Sequence, residues 1–348
     1  MPIRVLIVDD SALVRSILAT ELSRESDIEV IATAPDVYAA RDRIVLDEPD
    51  VVTLDIEMPR MDGVEFLRRL MPQRPTPVIV VSALATPQAR LTLKALEYGA
   101  IDFVTKPSAR LGAGLAETMH ELAAKIRTAA SVDMNALRAR PGPSAPVGRI
   151  ATAALDQTTD KVVAIGASTG GTIALEAVLA RLPADTPGIV VAQHMPPVFT
   201  RQFAARLNEL VPMEVKEAAS GDTVLRGRVL IAPGEHHMRV VRSGGRYVVD
   251  CAEGEKVNGH RPSVDVLFRS VAKYVATNAV GVMLTGMGAD GADAMVELRE
   301  SGARTLAQDE QTSVVFGMPK EAYARGGAER LVALADIPTA ILRFLETV

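Results

Sequence analysis

Over residues 3–106 short apolar, β-branched runs alternate with amphipathic stretches. The runs occupy 3–8, 29–33, 51–55, 78–82 and 101–104, and the stretches between them are 11–24, 36–47, 63–71 and 87–97. Five strands separated by helices predict parallel βαβ units in a doubly wound sheet. A helical stretch follows around 113–130. Next comes a segment, 139–148, so rich in Pro, Gly, Ser and Ala that it reads as an irregular linker. From residue 161 the α/β rhythm resumes, with strands at 161–166 and 188–193 and helices at 170–181 and 198–210. Shorter strand-like runs at 228–232, 238–241 and 246–251 follow, with Ser243-Gly-Gly-Arg246 as a hairpin turn. A helix at 263–276, a strand at 279–284, a helix at 291–300 and a strand at 304–307 return to the α/β order. The expectation is therefore two α/β domains: 1–125 with a (βα)5 parallel sheet, a linker over 126–158, and 159–348 with a doubly wound, mainly parallel sheet and an antiparallel extension.

Composition narrows what these domains do. A chain of 348 residues is long enough for two cores. With no Trp and 3% aromatics, those cores are aliphatic. A net charge of -5 and a pI near 5.7 give no electrostatic footprint for nucleic acid, and no basic recognition helix is evident, so a DNA-binding output is disfavoured. The single cysteine, Cys251, allows no internal disulfide and reads as a small buried strand residue. The apolar stretch at the amino terminus is too short for a signal peptide, and no 18-residue apolar run occurs, so a cytoplasmic protein without direct membrane insertion is expected.

Asp9 and Asp10 end the first predicted strand and Asp55 the third. In a parallel doubly wound sheet the carboxyl ends of strands line one crevice, so the three carboxylates converge. A hard divalent cation such as Mg²⁺ would neutralise them and bridge an incoming phosphoryl group. Ser82 at the end of the fourth strand and Lys106 after the fifth add a hydroxyl and an ammonium to the rim, and Pro107 biases Lys106 toward extended geometry. A lone Asp at a strand end is more often a cap or turn former, but five groups in register at their expected positions, at the ends of four strands, describe phosphoryl transfer to a carboxylate. The set Asp9-Asp10, Asp55, Ser82 and Lys106-Pro107 resembles the receiver domain of two-component response regulators, a flavodoxin-like fold. The resemblance implies that Asp55 accepts the phosphoryl group and that Asp9, Asp10 and Asp55 hold Mg²⁺ with the backbone carbonyl of Glu57. It also implies that Lys106 contacts the phosphoryl group and that Ser82 and Phe103 are the switch positions.

In the second domain Gly166-Ala-Ser-Thr-Gly-Gly171 follows a strand and opens a helix. Three readings compete: a phosphate-cradling loop, a plain glycine-rich turn, and a Gly-x-Ser-x-Gly turn exposing the Ser168 hydroxyl above the sheet. A serine nucleophile needs a histidine base oriented by a carboxylate. His194 directly follows the strand 188–193, whereas His120, His236 and His237 read as surface or turn residues, and His260 is a weaker candidate in a loop. Asp290 follows the strand 279–284 through a glycine-rich turn, although alone it would be a helix cap. The order Ser168, His194, Asp290 differs from that of α/β-hydrolases. The main alternative is a receiver joined to a non-catalytic nucleotide- or phosphate-binding module.

The strings Gly166-Ala-Ser-Thr-Gly-Gly171, Gln193-His-Met-Pro-Pro197, His260-Arg-Pro-Ser-Val-Asp265, Leu284-Thr-Gly-Met-Gly-Ala-Asp-Gly291 and Phe316-Gly-Met-Pro319 resemble the receiver-coupled protein-glutamate methylesterases of chemotaxis, the CheB family. That resemblance implies hydrolysis of γ-glutamyl methyl esters on chemoreceptors, with deamidation of specific glutamines and a chemotaxis histidine kinase as phosphodonor. Ser168 is then the nucleophile, His194 the base and later acid, and Asp290 the orienting group. The backbone N–H groups of Thr169 and Met287 are the oxyanion candidates, Met287 being alternatively core packing. No catalytic metal is expected in this domain. The resemblance further implies that the unphosphorylated receiver restricts access to the triad and that phosphorylation relieves it.

Overall fold

A computed structural model describes residues 1–106, 113–132, 134 and 160–348. Pro107, the stretch 139–148 and most of the linker assigned to 126–158 lie outside the described residues. The chain divides into two compact units, Met1–Gly142 and Pro143–Val348.

The first unit is a parallel sheet of β1 (Ile3–Val8), β2 (Ile28–Ala34), β3 (Val51–Asp55), β4 (Val78–Ser82) and β5 (Asp102–Thr105), in the order β2-β1-β3-β4-β5. Its helices are α1 (Ala12–Leu22), α2 (Val37–Asp47), α3 (Gly63–Gln73), α4 (Thr86–Glu97) and α5 (Ala113–Ala130). The starts follow local chemistry: Ser11, Asp36 and Asp62 each accept a backbone N–H of the first turn through the side chain. β3 and β4 are buried along their whole lengths, as strands covered on both faces must be. α5 runs past residue 125. Ile126 and Ala129 are buried, and Arg127 pairs with Glu25 and Asp27.

The second unit centres on β6 (Val162–Ala167), β7 (Ile189–Gln193), β8 (Glu214–Glu217), β9 (Arg228–Ile231), β12 (Ala279–Met283), β13 (Arg304–Gln308) and β14 (Leu331–Val332). Their order is β14-β13-β12-β6-β7-β9-β8, with every pairing parallel. The predicted antiparallel pair is present as β10 (His237–Ser243) and β11 (Arg246–Ala252), which form a separate two-stranded sheet turned at Gly244-Gly245. The strand at 228, grouped with that pair in sequence, joins the parallel sheet instead: its run of Val229, Leu230 and Ile231 is wholly buried, as an interior parallel strand requires. The helices are α6 (Gly171–Leu179), α7 (Phe199–Leu210), α8 (Val264–Tyr274), α9 (Ala292–Glu300), α10 (Met318–Ala324) and α11 (Ile337–Thr347). α8 packs closely on both β10 and α9. No helix among the described residues is long and apolar enough to cross a membrane.

In both sheets the chain leaves the first strand to one side and later crosses back to its other side. β1 lies between β2 and β3, and β6 lies between β7 and β12. Loops leaving such neighbours part, and a crevice opens at the carboxyl ends of the strands. Both candidate sites lie there.

Candidate active site and acidic pocket

Ser168 follows β6 directly, in the turn that opens α6. Gly170 there takes φ 76°, and a Cβ on it would stand 2.5 Å from Val314 Cγ2, so the turn needs glycine on both counts. The ladder continues past the strands: His194 N donates to Ala167 O at 3.1 Å, and Ser168 N donates to Thr285 O at 3.0 Å. These two bonds set the end of β7 on one side of Ser168 and the end of β12 on the other.

The side chains complete a relay. Ser168 Oγ lies 3.1 Å from His194 Nδ1, and His194 Nε2 lies 2.8 Å from Asp290 Oδ2. With Nε2–H donated to the carboxylate, Nδ1 is the unprotonated nitrogen that accepts the serine proton. Asp290 is buried and heavily solvated by protein. Its Oδ2 also accepts Val264 N at 2.6 Å, and its Oδ1 accepts Ser263 Oγ at 2.7 Å, Asn258 Nδ2 at 2.8 Å and Asp265 N at 3.3 Å. Burial alone would raise its pKa, but the His194 hydrogen bond and charge, with Asn258 and Ser263, hold the carboxyl well below the usual range.

The turn bearing Met287 abuts the nucleophile. A Cβ on Gly286 would stand 2.8 Å from Ser168 Cβ, so only glycine permits that approach. The motif Phe316-Gly-Met-Pro319 holds the turn from behind. Gly317 N and Met318 N donate to Gly286 O, at 3.1 and 2.8 Å, and Gly286 N donates to Val315 O. Thr169 is buried beside Ser168 and its carbonyl accepts the Thr285 hydroxyl, while Met287 is half-buried at the rim.

The remaining histidines separate. His120 is exposed on α5. His237, read from sequence as a surface or turn residue, is buried at the start of β10: its Nε2 meets Glu255 O at 2.8 Å and its Nδ1 accepts Ser263 N. The two imidazole nitrogens satisfy two backbone groups from separate segments, a role with no periodicity to reveal it. His260 stacks on the His194 ring, centroids 3.7 Å apart and planes within 10°. Cys251 is a half-buried residue of β11 whose thiol is pushed up to about 12, chiefly by burial. Sequence reasoning missed Asn258, Ser263 and Gln193. Gln193 Nε2 donates to the carbonyls of both Ser168 and His194, at 3.0 and 3.2 Å.

In the first unit Asp9, Asp10 and Asp55 bring carboxylate oxygens within 4.8 Å of one another. Lys106 Nζ bridges Asp9 Oδ2 at 2.9 Å and Asp55 Oδ2 at 2.7 Å. Burial pushes Asp55 from 3.8 up to about 6 despite Lys106, and the neighbouring charge of Asp9 adds to the rise. Three close carboxylates, two of them buried, fit a hard divalent cation. Glu57 N donates to Asp55 Oδ1 at 3.2 Å, which folds the backbone at Glu57 against this cluster. Ser82 is buried at the end of β4 and its hydroxyl accepts Thr92 Oγ1 of α4 at 2.8 Å. Phe103 is buried on β5 beneath Lys125, whose ammonium lies 5.4 Å from the ring centre.

Comparison with known proteins identifies the family of the whole chain. The family profile described as CheB methylesterase matches residues 163–341, and that described as response regulator receiver domain matches residues 5–112. A protein-glutamate methylesterase/protein-glutamine glutaminase of Syntrophotalea carbinolica is 56% identical over 99% of this chain and 98% of its own. One of the same description from Sulfurimonas denitrificans is 53% identical over 99% of each chain. The crystal structure of the Thermotoga maritima CheB methylesterase catalytic domain aligns with a TM-score of 0.52 and 37% identity, over 55% of this chain and 100% of that one. The chain therefore belongs to the CheB methylesterase family, with a response regulator receiver domain ahead of the methylesterase domain.

Proposed function

We propose that this chain is a phosphorylation-regulated protein-glutamate methylesterase, acting in the cytoplasm on γ-glutamyl methyl esters of chemoreceptors and deamidating specific glutamines there. The observation that carries the reading is the imidazole of His194 bridging Ser168 and Asp290 at the crevice between β7, β6 and β12. Ser168 Oγ attacks the ester carbonyl as His194 Nδ1 takes its proton. The imidazolium so formed is stabilised by Asp290, which is held ionised by its donors. Collapse of the tetrahedral intermediate passes that proton to the departing methoxide, and water repeats the sequence on the acyl-enzyme. The backbone N–H groups of Thr169 and Met287 stabilise the oxyanion, each by about 3 kcal/mol if aligned. None of these steps calls on a metal.

The receiver takes in the whole of α5 and so ends near Ala130 rather than at 125, with the remainder of the stretch assigned to 126–158 as linker and the catalytic domain at 159–348. Asp55 takes a phosphoryl group from a chemotaxis histidine kinase. Asp9, Asp10, Asp55 and the Glu57 carbonyl would hold Mg²⁺, which would supply charge neutralisation there, and the Lys106 ammonium would contact the phosphoryl oxygens. Ser82 and Phe103 register the change, and activity rises.

The test is methanol release from methylated receptor. Ser168→Ala, with unchanged thermal unfolding, is expected to lower the rate by at least about a thousandfold, because the triad acts as a unit. Wild-type release from a folded Ser168→Ala protein would remove the assignment.

A further inference from the structure

Between β11 and α8 the chain makes a tight turn at Val257-Asn-Gly-His260. Val257 and His260 exchange both backbone hydrogen bonds, at 3.1 and 3.0 Å, and Asn258 and Gly259 take φ 53° and 79°. Asn-Gly is the pair that best accepts two successive positive φ angles, so the sequence itself dictates this turn. The turn brings two side chains to the triad. The ring of His260 stacks on His194. The amide of Asn258 reaches inward from an exposed backbone position, and its Nδ2 donates to Asp290 Oδ1 at 2.8 Å and to Asp265 Oδ2 at 2.7 Å.

Asp265 is buried and anchored independently. Its Oδ1 accepts Ala294 N in the first turn of α9 at 3.0 Å, and Arg269 approaches its Oδ2 at 3.6 Å. Two buried carboxylates side by side repel unless donors stand between them. The Asn258 amide spends both of its N–H groups on them and brings no charge of its own. Asp290 thus stays ionised to face His194, and rotation of its carboxylate is opposed because Oδ1 is tied through Asn258 to Asp265, itself held by Ala294 N of α9.

We infer that the turn 257–260 is a positioning device for the triad, in which Asn258 aligns Asp290 on His194 by bridging it to Asp265. The inference rests on the hydrolase reading above. Asn258 touches no reacting atom and acts through Asp290.

The test is covalent labelling of Ser168 in the full-length protein by a fluorophosphonate, followed as rate against probe concentration. Asn258→Gly deletes the amide while keeping a residue at ease with positive φ, so the turn survives. Its saturating rate constant is expected to fall about ten- to hundredfold, the loss of one hydrogen bond to a buried charge, while the half-saturating concentration changes by less than about twofold. Asn258→Asp keeps shape and turn preference but sets a third carboxylate against two, and is expected to be slower still. In an Asp290→Asn background, Asn258→Gly is expected to have little further effect, since the charge it serves is gone. Wild-type labelling by folded Asn258→Gly, an equal slowing in both backgrounds, or Asn258→Asp labelling faster than Asn258→Gly would each overturn the inference while leaving the hydrolase reading intact. Wild-type protein that takes no label at Ser168 would overturn the hydrolase reading itself.

Discussion

Asp55 and Asp290 occupy equivalent places, each at the carboxyl end of a switch-point crevice in a parallel sheet and each 2% exposed, yet their carboxyls are driven in opposite directions. Burial raises both. Asp55 ends higher because what surrounds it is sparse: one backbone N–H at 3.2 Å, a lysine shared with Asp9, and the like charge of Asp9 itself. Asp290 ends lower because Ser263, Asn258, His194 and two backbone amides all aim at it. Depth of burial therefore does not decide the charge state of such a group; the count of donors against neighbouring acceptors does. The difference suits two tasks. A carboxylate kept short of donors gains by taking up a cation and a phosphoryl group, whereas one saturated with donors is already in its working state.

The largest effect expected from disturbing this contrast is at Asp290. Asp290→Asn keeps the shape but removes the charge facing the imidazolium, and methanol release is expected to fall about a hundredfold or more. A loss under about threefold would mean that the carboxylate merely ties down the amino terminus of α8.

Next is the reverse manipulation at the other pocket. Asp55→Asn is expected to abolish acid-labile phosphorylation while stabilising the first unit at pH 7 by about 1–3 kcal/mol in the presence of EDTA, because a strained charge is removed. Calorimetry would refute this if the variant unfolded at a lower temperature than the wild type.

The smallest effect is the pH dependence of that strain. Asp55 has its folded value, about 6, above its ordinary 3.8, so between roughly pH 4 and 6 the folded state holds the extra proton. Stability then declines as pH rises through this window and levels off above it. Asp55→Asn should remove that slope, and saturating Mg²⁺ should flatten it in the wild type by favouring the ionised form. Asp290 contributes no slope there. Its folded value is depressed, so its stabilisation is present above 3.8 and is lost only as pH falls to strongly acidic values. Parallel slopes in wild type and Asp55→Asn, measured in EDTA, would contradict the assignment.

Much of this was legible in the chain. Uninterrupted apolar runs have a single comfortable environment, a parallel strand covered on both faces, and so the strands that carry Asp9, Asp55, Ser168 and His194 stand where periodicity puts them. Asn258-Gly259 dictates its own turn, because few other pairs accept its backbone angles. Periodicity has no term for strand order. That β12 crosses back beside β6, bringing Asp290 within reach of His194 across nearly a hundred residues of chain, is set by packing of helices on both faces of the sheet. The same applies to the strand at 228, which entered the parallel sheet because a wholly apolar run is better buried in a sheet interior than in a hairpin. Side-chain roles that depend on one contact were beyond any local signal. These are His237 buried on backbone groups and Asn258 joining Asp265 to Asp290. A hydrogen-bonding side chain has the same local propensity whether it meets water or a partner, and only the folded chain decides which it meets.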